Sequence, residues 1–504
     1  MKADARADSL NPRRLGIDTH QEPVVYMRAD CHVCRSEGFA AHSRVEVRLG
    51  GRSITATLNV VHGELLGEDE VGFSEAAWQL LQPQPSERAR FAHPVPVDSM
   101  SYVRAKVYNQ RLAEPQLNAI ISDVVANRYT DVELAAFIAS CADGRLSRAE
   151  ITSLTRAMVN AGERLTWPYD RVMDKHCVGG LAGNRTTMIL VPIAACLGLI
   201  MPKTSSRAIT SPSGTADTME TLAPVDLSLD TLRAVVEREG ACIAWGGAIH
   251  LSPADDILVR VERALDLDSE GQLVASVLSK KSAAGSTHVV LDLPVGPTAK
   301  VRSQHAALGL QRLLEQTARA IGLKVKTLVT DGRQPVGRGV GPALEARDVL
   351  AVLRNEPGAP QDLRAHSLDI AAALVELAEV ARGDEARSLV TAVLQDGRAL
   401  AKLEAICDAQ GGMRQPPVAT HTHDVAAMHA GRITAIDNRL LSRAAKLAGA
   451  PHAKAAGLEL LVRLDERVSR GQPLFRLHAE NAGDLDYALE FVQRHPGVVQ
   501  LERH

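Results

Sequence analysis

Residues 174–221, DKHCVGGLAGNRTTMILVPIAACLGLIMPKTSSRAITSPSGTADTMET, concentrate the groups in this chain best suited to handling an anion. Lys175 and His176 end a strand-like segment and precede Gly179, Gly180 and Gly183. A glycine turn feeding a helix lets backbone N–H groups reach an anion, and the helix dipole favours negative charge there. Lys175 would add a point charge. The spacing matches neither Walker A nor the dinucleotide fingerprint, and a glycine turn beside a lysine is by itself a common connector. The second cluster spans residues 203–215 and holds Ser205, Ser206, Arg207, Thr210, Ser211, Ser213, Gly214 and Thr215. Hydroxyls at this density, with an arginine, suit phosphate and sugar oxygens, although a polar surface loop has the same composition. The second cluster follows the first by one α/β unit, and loops at the carboxyl ends of such strands converge on one crevice. Together they point to an enzyme acting on a phosphate-bearing or phosphate-consuming substrate.

Two further groups are weaker. Ser276 and Lys280 are four apart and share a helix face, beside Lys281; Asp268 lies eight before Ser276, on the same side if the helix is continuous. A helical Ser and Lys are ordinarily solvated. Cys31 and Cys34 form a CxxC with His32 between them, but no second CxxC or His pair completes a tetrahedral site, and no metal is expected.

These residues need elements to hold them. Residues 15–81 alternate in short glycine-separated runs, a compact β domain, and residues 83–98 are proline-rich and read as a linker. Residues 116–127, 131–142 and 147–161 carry apolar residues at helical spacing. From Val172 strand-like and helical segments alternate, including a buried strand from Thr287 and another over 323–330, then helices over 341–352 and 363–381. After Pro416 a small β-rich domain with one or two helices follows.

The chain has 504 residues, enough for several domains. A net charge of −3 gives no general attraction to nucleic acid or anionic membrane, and 3% aromatics argue against a stacking platform for single strands. Seven cysteines at irregular spacing suggest a reducing compartment. The first residues lack a signal-peptide core, and the longest apolar stretch, 188–201, is too short for a bilayer and is broken by Pro192. A cytoplasmic location is expected.

The motifs DKHxxGG, SSRAITSxxGTADTME, WGGAxxLxPADD, DSEGQLxASxLSKK and VVLDLPVG, in this order from about Met100 to the C-terminus, resemble the thymidine phosphorylase and AMP phosphorylase family. The β-like N-terminal extension resembles that of the AMP phosphorylase branch, and the whole looks most like bacterial thymidine phosphorylases of the second type. The resemblance implies an α/β nucleoside phosphorylase fold: an N-terminal β domain over 1–85, a helical domain over 97–167 with 255–283, a larger α/β domain over 168–254 with 284–415, and a C-terminal α+β domain over 416–504. It implies phosphorolysis, with inorganic phosphate as co-substrate and no cofactor, and a homodimer or larger homo-oligomer. The partners would be a small nucleoside or nucleotide and phosphate.

By resemblance, Lys175, Gly179, Thr187 and Ser205 face phosphate, with the Gly180 backbone and Thr215. Asp268 matches the proton donor of the AMP-type enzymes, and His176 a base-contacting histidine of the thymidine type, whose ordinary pKa near 6.5 suits proton exchange. Gly180, Ser206, Arg207, Ala208, Ile209, Thr210, Ser211, Thr215, Ser276 and Lys300 match positions that hold the nucleotide, and Ser276 with Lys280 the pair that contacts a pyrimidine. Two departures stand out. Cys177 replaces the family's usual serine, and Arg260 and Arg263 flank the expected position of a pyrimidine-clamping arginine. Thymidine is the expected substrate. A nucleoside 5′-monophosphate is the alternative, because Arg207 and the hydroxyl loop could hold a 5′-phosphate. A Mg²⁺-dependent phosphoribosyltransferase could use the acidic pair Asp255 and Asp256, which also reads as a polar helix start. Residues 460–477 resemble a biotinyl or lipoyl carrier but lack its hairpin lysine, since Asp465, Glu466 and Arg467 occupy the turn.

Overall fold

The computed structural model describes residues 9–19, 22–179, 181–208, 211–249, 251–265, 267 and 269–502; the side chains of Ala248 and Arg263 also fall outside that description. Two compact units are distinguished: residues 1–141 with 257–265, and residues 142–256 with 266–504.

The first unit begins with β1 (Ser9–Arg14), β2 (Val24–Arg28), β3 (Arg44–Leu49), β4 (Arg52–Val61), β5 (Glu70–Phe73) and β6 (Ala89–Ala92). These close into a barrel in the order β1-β5-β2-β4-β3-β6. Strict alternation drives it: Val45, Val47 and Leu49 of β3 point inward, and their neighbours do not. β6 lies inside the proline-rich segment expected to be a linker. Ala89 and Phe91 alternate inward, and the strand pairs with β1 and β3, so it closes the barrel and removes its free edges. The CxxC motif serves α1 (His32–Glu37): Cys31 Sγ caps the helix by accepting from the Cys34 amide, and both thiols are buried. After α2 (Glu75–Leu81), the helices α3 (Met100–Val107), α4 (Glu114–Val125) and α5 (Asp131–Cys141) follow, α4 burying Leu117, Ile120, Ile121 and Val124 on one stripe.

In the second unit, α6 (Arg148–Asn160) opens with a capping box between Ser147 and Glu150. Then β7 (Met173–Cys177), α7 (Thr186–Cys196), β8 (Met201–Ser205), α8 (Thr215–Glu220), α9 (Leu229–Glu239) and β9 (Ala241–Trp245) alternate. Pro192 lies within α7 and does not end it. The helix α10 (Pro253–Leu265) and α11 (Glu270–Ala283) are separate, since Ser269 caps α11 through the Gln272 amide. Ser276 lies on α11, and Asp268 lies outside the described residues. β10 (His288–Val295), α12 (Gln304–Ala320) and β11 (Lys324–Asp331) complete a parallel sheet in the order β11-β10-β7, and a Val172–Ile200 bridge leads to the parallel pair β8-β9. β10 is buried from His288 to Pro294, apolar except for His288 and Asp292, as a strand covered on both faces must be.

The sheet is covered by α13 (Pro342–Leu353), after the short β12 (Gly339–Val340), and by α14 (Gln361–Leu377), α15 (Gly383–Gln395) and α16 (Arg398–Ala409). The C-terminal part adds β13 (His421–Ala426), β14 (Gly431–Ile436), α17 (Asn438–Leu447), β15 (Gly457–Leu460), β16 (Arg467–Val468), β17 (Pro473–Ala479), α18 (Ala482–Arg494) and β18 (Val499–Leu501). Its strands form a sheet β12-β15-β17-β13 and a second, β16-β14-β18.

Leu291 is fully buried in the central strand β10. Leu291→Ala is expected to cost about 2–5 kcal/mol through lost burial and a residual cavity, read as a lower urea midpoint with an unchanged slope.

Candidate active site

The strands β7, β8 and β10 carry a buried charge cluster. Asp174 on β7 is fully buried, with Lys203 Nζ of β8 at 3.3 Å and Lys281 Nζ of α11 at 2.9 Å. Ser286 Oγ donates to it at 3.1 Å, and the Lys175 amide at 2.7 Å. Burial opposes its ionisation, but Lys203 and Lys281 hold its carboxyl below the ordinary range. Lys175, also buried, donates to Thr186 Oγ1 at 2.8 Å and lies 3.9 Å from Asp292 of β10. Asp292 accepts from Thr330 Oγ1 at 2.7 Å and sits 3.1 Å from His366 Nε2. Despite its burial, His366 and Lys175 hold it well below the ordinary carboxylate range. Three buried lysines (Lys175, Lys203, Lys281) and two buried carboxylates (Asp174, Asp292) thus form the floor of the site, and burial draws the pKa of the Lys203 ammonium down to about 7 although Asp174 opposes this. A buried cluster with this many ammonium donors suits an anionic ligand.

Three features open toward such an anion. Gly179, with φ of 88°, has nothing within 4 Å of where a Cβ would stand. Ser205 Oγ, at the end of β8, is buried and has no hydrogen-bond partner among the described residues. Thr187 is buried in the first turn of α7, where helix N–H groups are free of intrahelical partners. The Thr186 hydroxyl, not that of Thr187, is the one on Lys175.

His176 is adjacent to this floor. Burial, then the charges of Lys281, Lys203, Lys280 and Lys175, push its pKa well below 6.5. Its ring is neutral near pH 7, which corrects the expectation of proton exchange at its ordinary pKa: it can donate one hydrogen bond but does not carry a second proton there. Cys177 is likewise uncharged, its thiol pushed up to about 12 by burial and then by Asp292. Asn184 Nδ2 donates to its sulfur at 3.2 Å.

The hydroxyl-rich loop after β8 is largely occupied with its own fold. Asp217 accepts from the Ala208 and Gly214 amides at 2.6 and 2.9 Å, and Ser211 Oγ donates to the Ser213 carbonyl at 2.9 Å. Gly214 is required because a Cβ would stand 2.5 Å from the Ser206 carbonyl. Arg207 grips Glu220 through two hydrogen bonds of 2.8 and 2.7 Å, reaches Asp217 at 3.3 Å and stacks 4.8 Å over Trp245. Lys454 also reaches Glu220, at 2.7 Å. Arg207, the residue that could hold a 5′-phosphate, is thus engaged by two acids of its own unit.

Ser276 and Lys280 do share α11, and Lys280 Nζ is 2.5 Å from Asp255 Oδ2. That ion pair engages the first member of the acidic pair considered for Mg²⁺. Ser206 is exposed, and Lys300 is exposed in the loop after β10. Gly180, Ile209, Thr210 and Asp268 lie outside the described residues, as does the Arg263 side chain. Arg260 Nη2 donates to Asp131 at 2.8 Å, an engagement the sequence did not suggest. Sequence reasoning also gave no role to Asp174, Arg185, Lys203, Lys281, Asp292 or His366. A lone acid in the apolar run VVLDLPV was the available signal for Asp292.

The depressed His176 pKa has a thermodynamic consequence. Below about pH 6.5 an unfolded chain protonates this histidine while the folded one does not, so stability falls as pH drops through that value and levels off below the folded pKa. His176→Gln should remove part of that acid-side slope and leave the slope above pH 7 unchanged in urea melts.

Family models match three stretches: the helical bundle domain of the glycosyl transferase family at 100–162, its a/b domain at 169–400, and the pyrimidine nucleoside phosphorylase C-terminal domain at 432–496. A relative from Acidovorax sp. (strain JS42) named "Putative thymidine phosphorylase 2" is 61% identical over 98% of this chain and 96% of its own length. A relative of the same naming from Legionella pneumophila (strain Paris) is 54% identical over 98% of this chain and 95% of its own length. Among solved structures, anthranilate phosphoribosyltransferase from Thermus thermophilus shares the fold, with a TM-score of 0.51 at 19% identity over 61% of this chain and 98% of that one. The yeast (Saccharomyces cerevisiae) enzyme of that name gives 0.50 at 15% identity, over 63% of this chain and 99% of that one. Among the described residues no helix is long and apolar enough to cross a membrane. On near-full-length identity to such relatives and on its domain composition, the chain belongs to the thymidine phosphorylase family of pentosyltransferases.

Proposed function

We propose that the chain phosphorolyses thymidine: an oxygen of inorganic phosphate attacks C1′ of the deoxyribose, the bond from C1′ to the base breaks, and thymine and 2-deoxyribose 1-phosphate are formed. The observation that carries this reading is the buried cluster of Lys175, Lys203 and Lys281, with the unpartnered Ser205 hydroxyl at the end of the same strand as Lys203. Such a floor suits a small, fully desolvated anion that must be aligned for attack, and alignment supplies much of the acceleration. In this reading Lys175, Ser205, Thr187, Thr215 and the Gly179–Gly180 backbone hold the phosphate.

The departing base gains negative charge and needs a proton or strong hydrogen bonds. His176, neutral, would donate a hydrogen bond to the base, and Ser276 and Lys280 would contact the pyrimidine ring. By resemblance Asp268 would supply the proton. The engagement of Arg207 by Glu220 and Asp217 favours a substrate without a 5′-phosphate over the nucleotide alternative.

Purified protein incubated with thymidine, uridine, AMP, CMP or UMP, with and without phosphate, tests this reading. Thymine should be released from thymidine only when phosphate is present. Release from a monophosphate in preference to thymidine would overturn the substrate, and no phosphate-dependent release from any compound would overturn the reaction. Asp268→Asn should lower turnover by about 10²–10⁴-fold with the fold retained; near-normal turnover would remove Asp268 from the mechanism.

A further inference from the structure

Arg185 belongs to none of the motifs above, yet it joins the two loops that flank the anion floor. It stands at the N-cap position of α7, at the end of the first loop, with its side chain only 12% exposed. Nη2 donates to the Ser213 carbonyl at 2.6 Å and Nη1 to Thr215 Oγ1 at 3.2 Å, both in the second loop. Nε donates to Glu345 Oε2 on α13. Glu345 is 1% exposed and is held in turn by Thr218 Oγ1 at 2.7 Å and the Gly341 amide at 3.3 Å. One planar guanidinium therefore fixes the spacing of the first loop, the second loop and α13.

The contact to Thr215 also has a direction. A guanidinium only donates, so Thr215 Oγ1 must accept from it. No other partner of that hydroxyl is found among the described residues, which leaves its own proton to be given away.

We infer that Arg185 is a positioning residue for phosphate: it locks the two loops at one separation and turns the Thr215 hydroxyl into an obligate donor toward an anionic oxygen. This rests on the reading of the two loops as the phosphate site. A lysine could keep the charge beside Glu345 but not the three-way fork.

Arg185→Met alone would strand the buried Glu345, so the informative variants are the neutral pair Arg185→Met/Glu345→Gln and the charge-retaining Arg185→Lys. Each is compared with Thr215→Val and with the combination of that change and Arg185→Lys. In steady-state assays both Arg185 variants should raise KM for phosphate about tenfold, with KM for nucleoside within about twofold, the size of a lost charge-assisted contact. If Arg185 acts through Thr215, adding Thr215→Val to Arg185→Lys should cost less than about twofold more, a non-additivity that a merely structural role would not produce. An unchanged phosphate KM in Arg185→Lys, or effects of the two changes that multiply, would overturn the inference. Calorimetric titration of inorganic phosphate into each protein without nucleoside separates this inference from the proposed reaction. If wild type binds phosphate more tightly than Arg185→Lys yet cleaves no nucleoside, the reaction fails and the inference stands. If wild type cleaves thymidine and the two bind phosphate equally, the inference fails alone.

Discussion

Asp174, fully buried between Lys203 and Lys281, is the contact around which the site is organised. It draws together β7, β8 and α11, elements far apart in sequence, and it makes two ammonium groups tolerable in a dry interior. Lys175 and Asp292, 3.9 Å apart, extend the same cluster. Burial draws the Lys203 pKa down to about 7, so the charge of this cluster changes near neutral pH. Burial, and then the charges of these lysines, suppress protonation of His176.

The parallel sheet explains why these groups meet. β7, β10 and β11 run in one direction, so the loops after them leave from the same edge, and the bridge from Val172 to Ile200 brings the β8-β9 pair alongside. A nearly unbroken apolar strand such as β10 can carry one acid only if partners reach it, and Thr330, His366 and Lys175 do so at Asp292. Around this rigid floor the second loop is folded by its own contacts, chiefly the Asp217 carboxylate on two backbone amides and Arg207 on Glu220. Many of its hydroxyls and its arginine therefore shape the loop, and fewer remain for a ligand than their density suggests.

Much of this was legible in the sequence. Lys175 and His176 do end a strand, the glycine turn does feed a helix, and the α4, α5 and α6 stripes lie within a few residues of the expected ranges. What escaped depends on distant partners. Nothing local distinguishes Lys281 from its neighbour Lys280, yet one faces Asp174, 107 residues away, and the other Asp255. β6 was hidden because prolines flank four residues whose partners are β1 and β3. The helices α15 and α16 follow Arg382 and Gly397, which give no side-chain cap, so their starts lack the strongest local signal. The break before Ser269 is invisible to a periodicity that runs on through residues 253–283.

In the proposed reaction phosphate is the attacking reagent and not a handle on the substrate. Phosphorus-31 NMR of protein, thymidine and inorganic phosphate tests it most directly. A new sugar 1-phosphate resonance should grow at the rate at which the inorganic phosphate signal falls, with one thymine released per phosphate consumed. Thymine release with the inorganic phosphate signal undiminished would mean that water is the nucleophile, and would contradict the account.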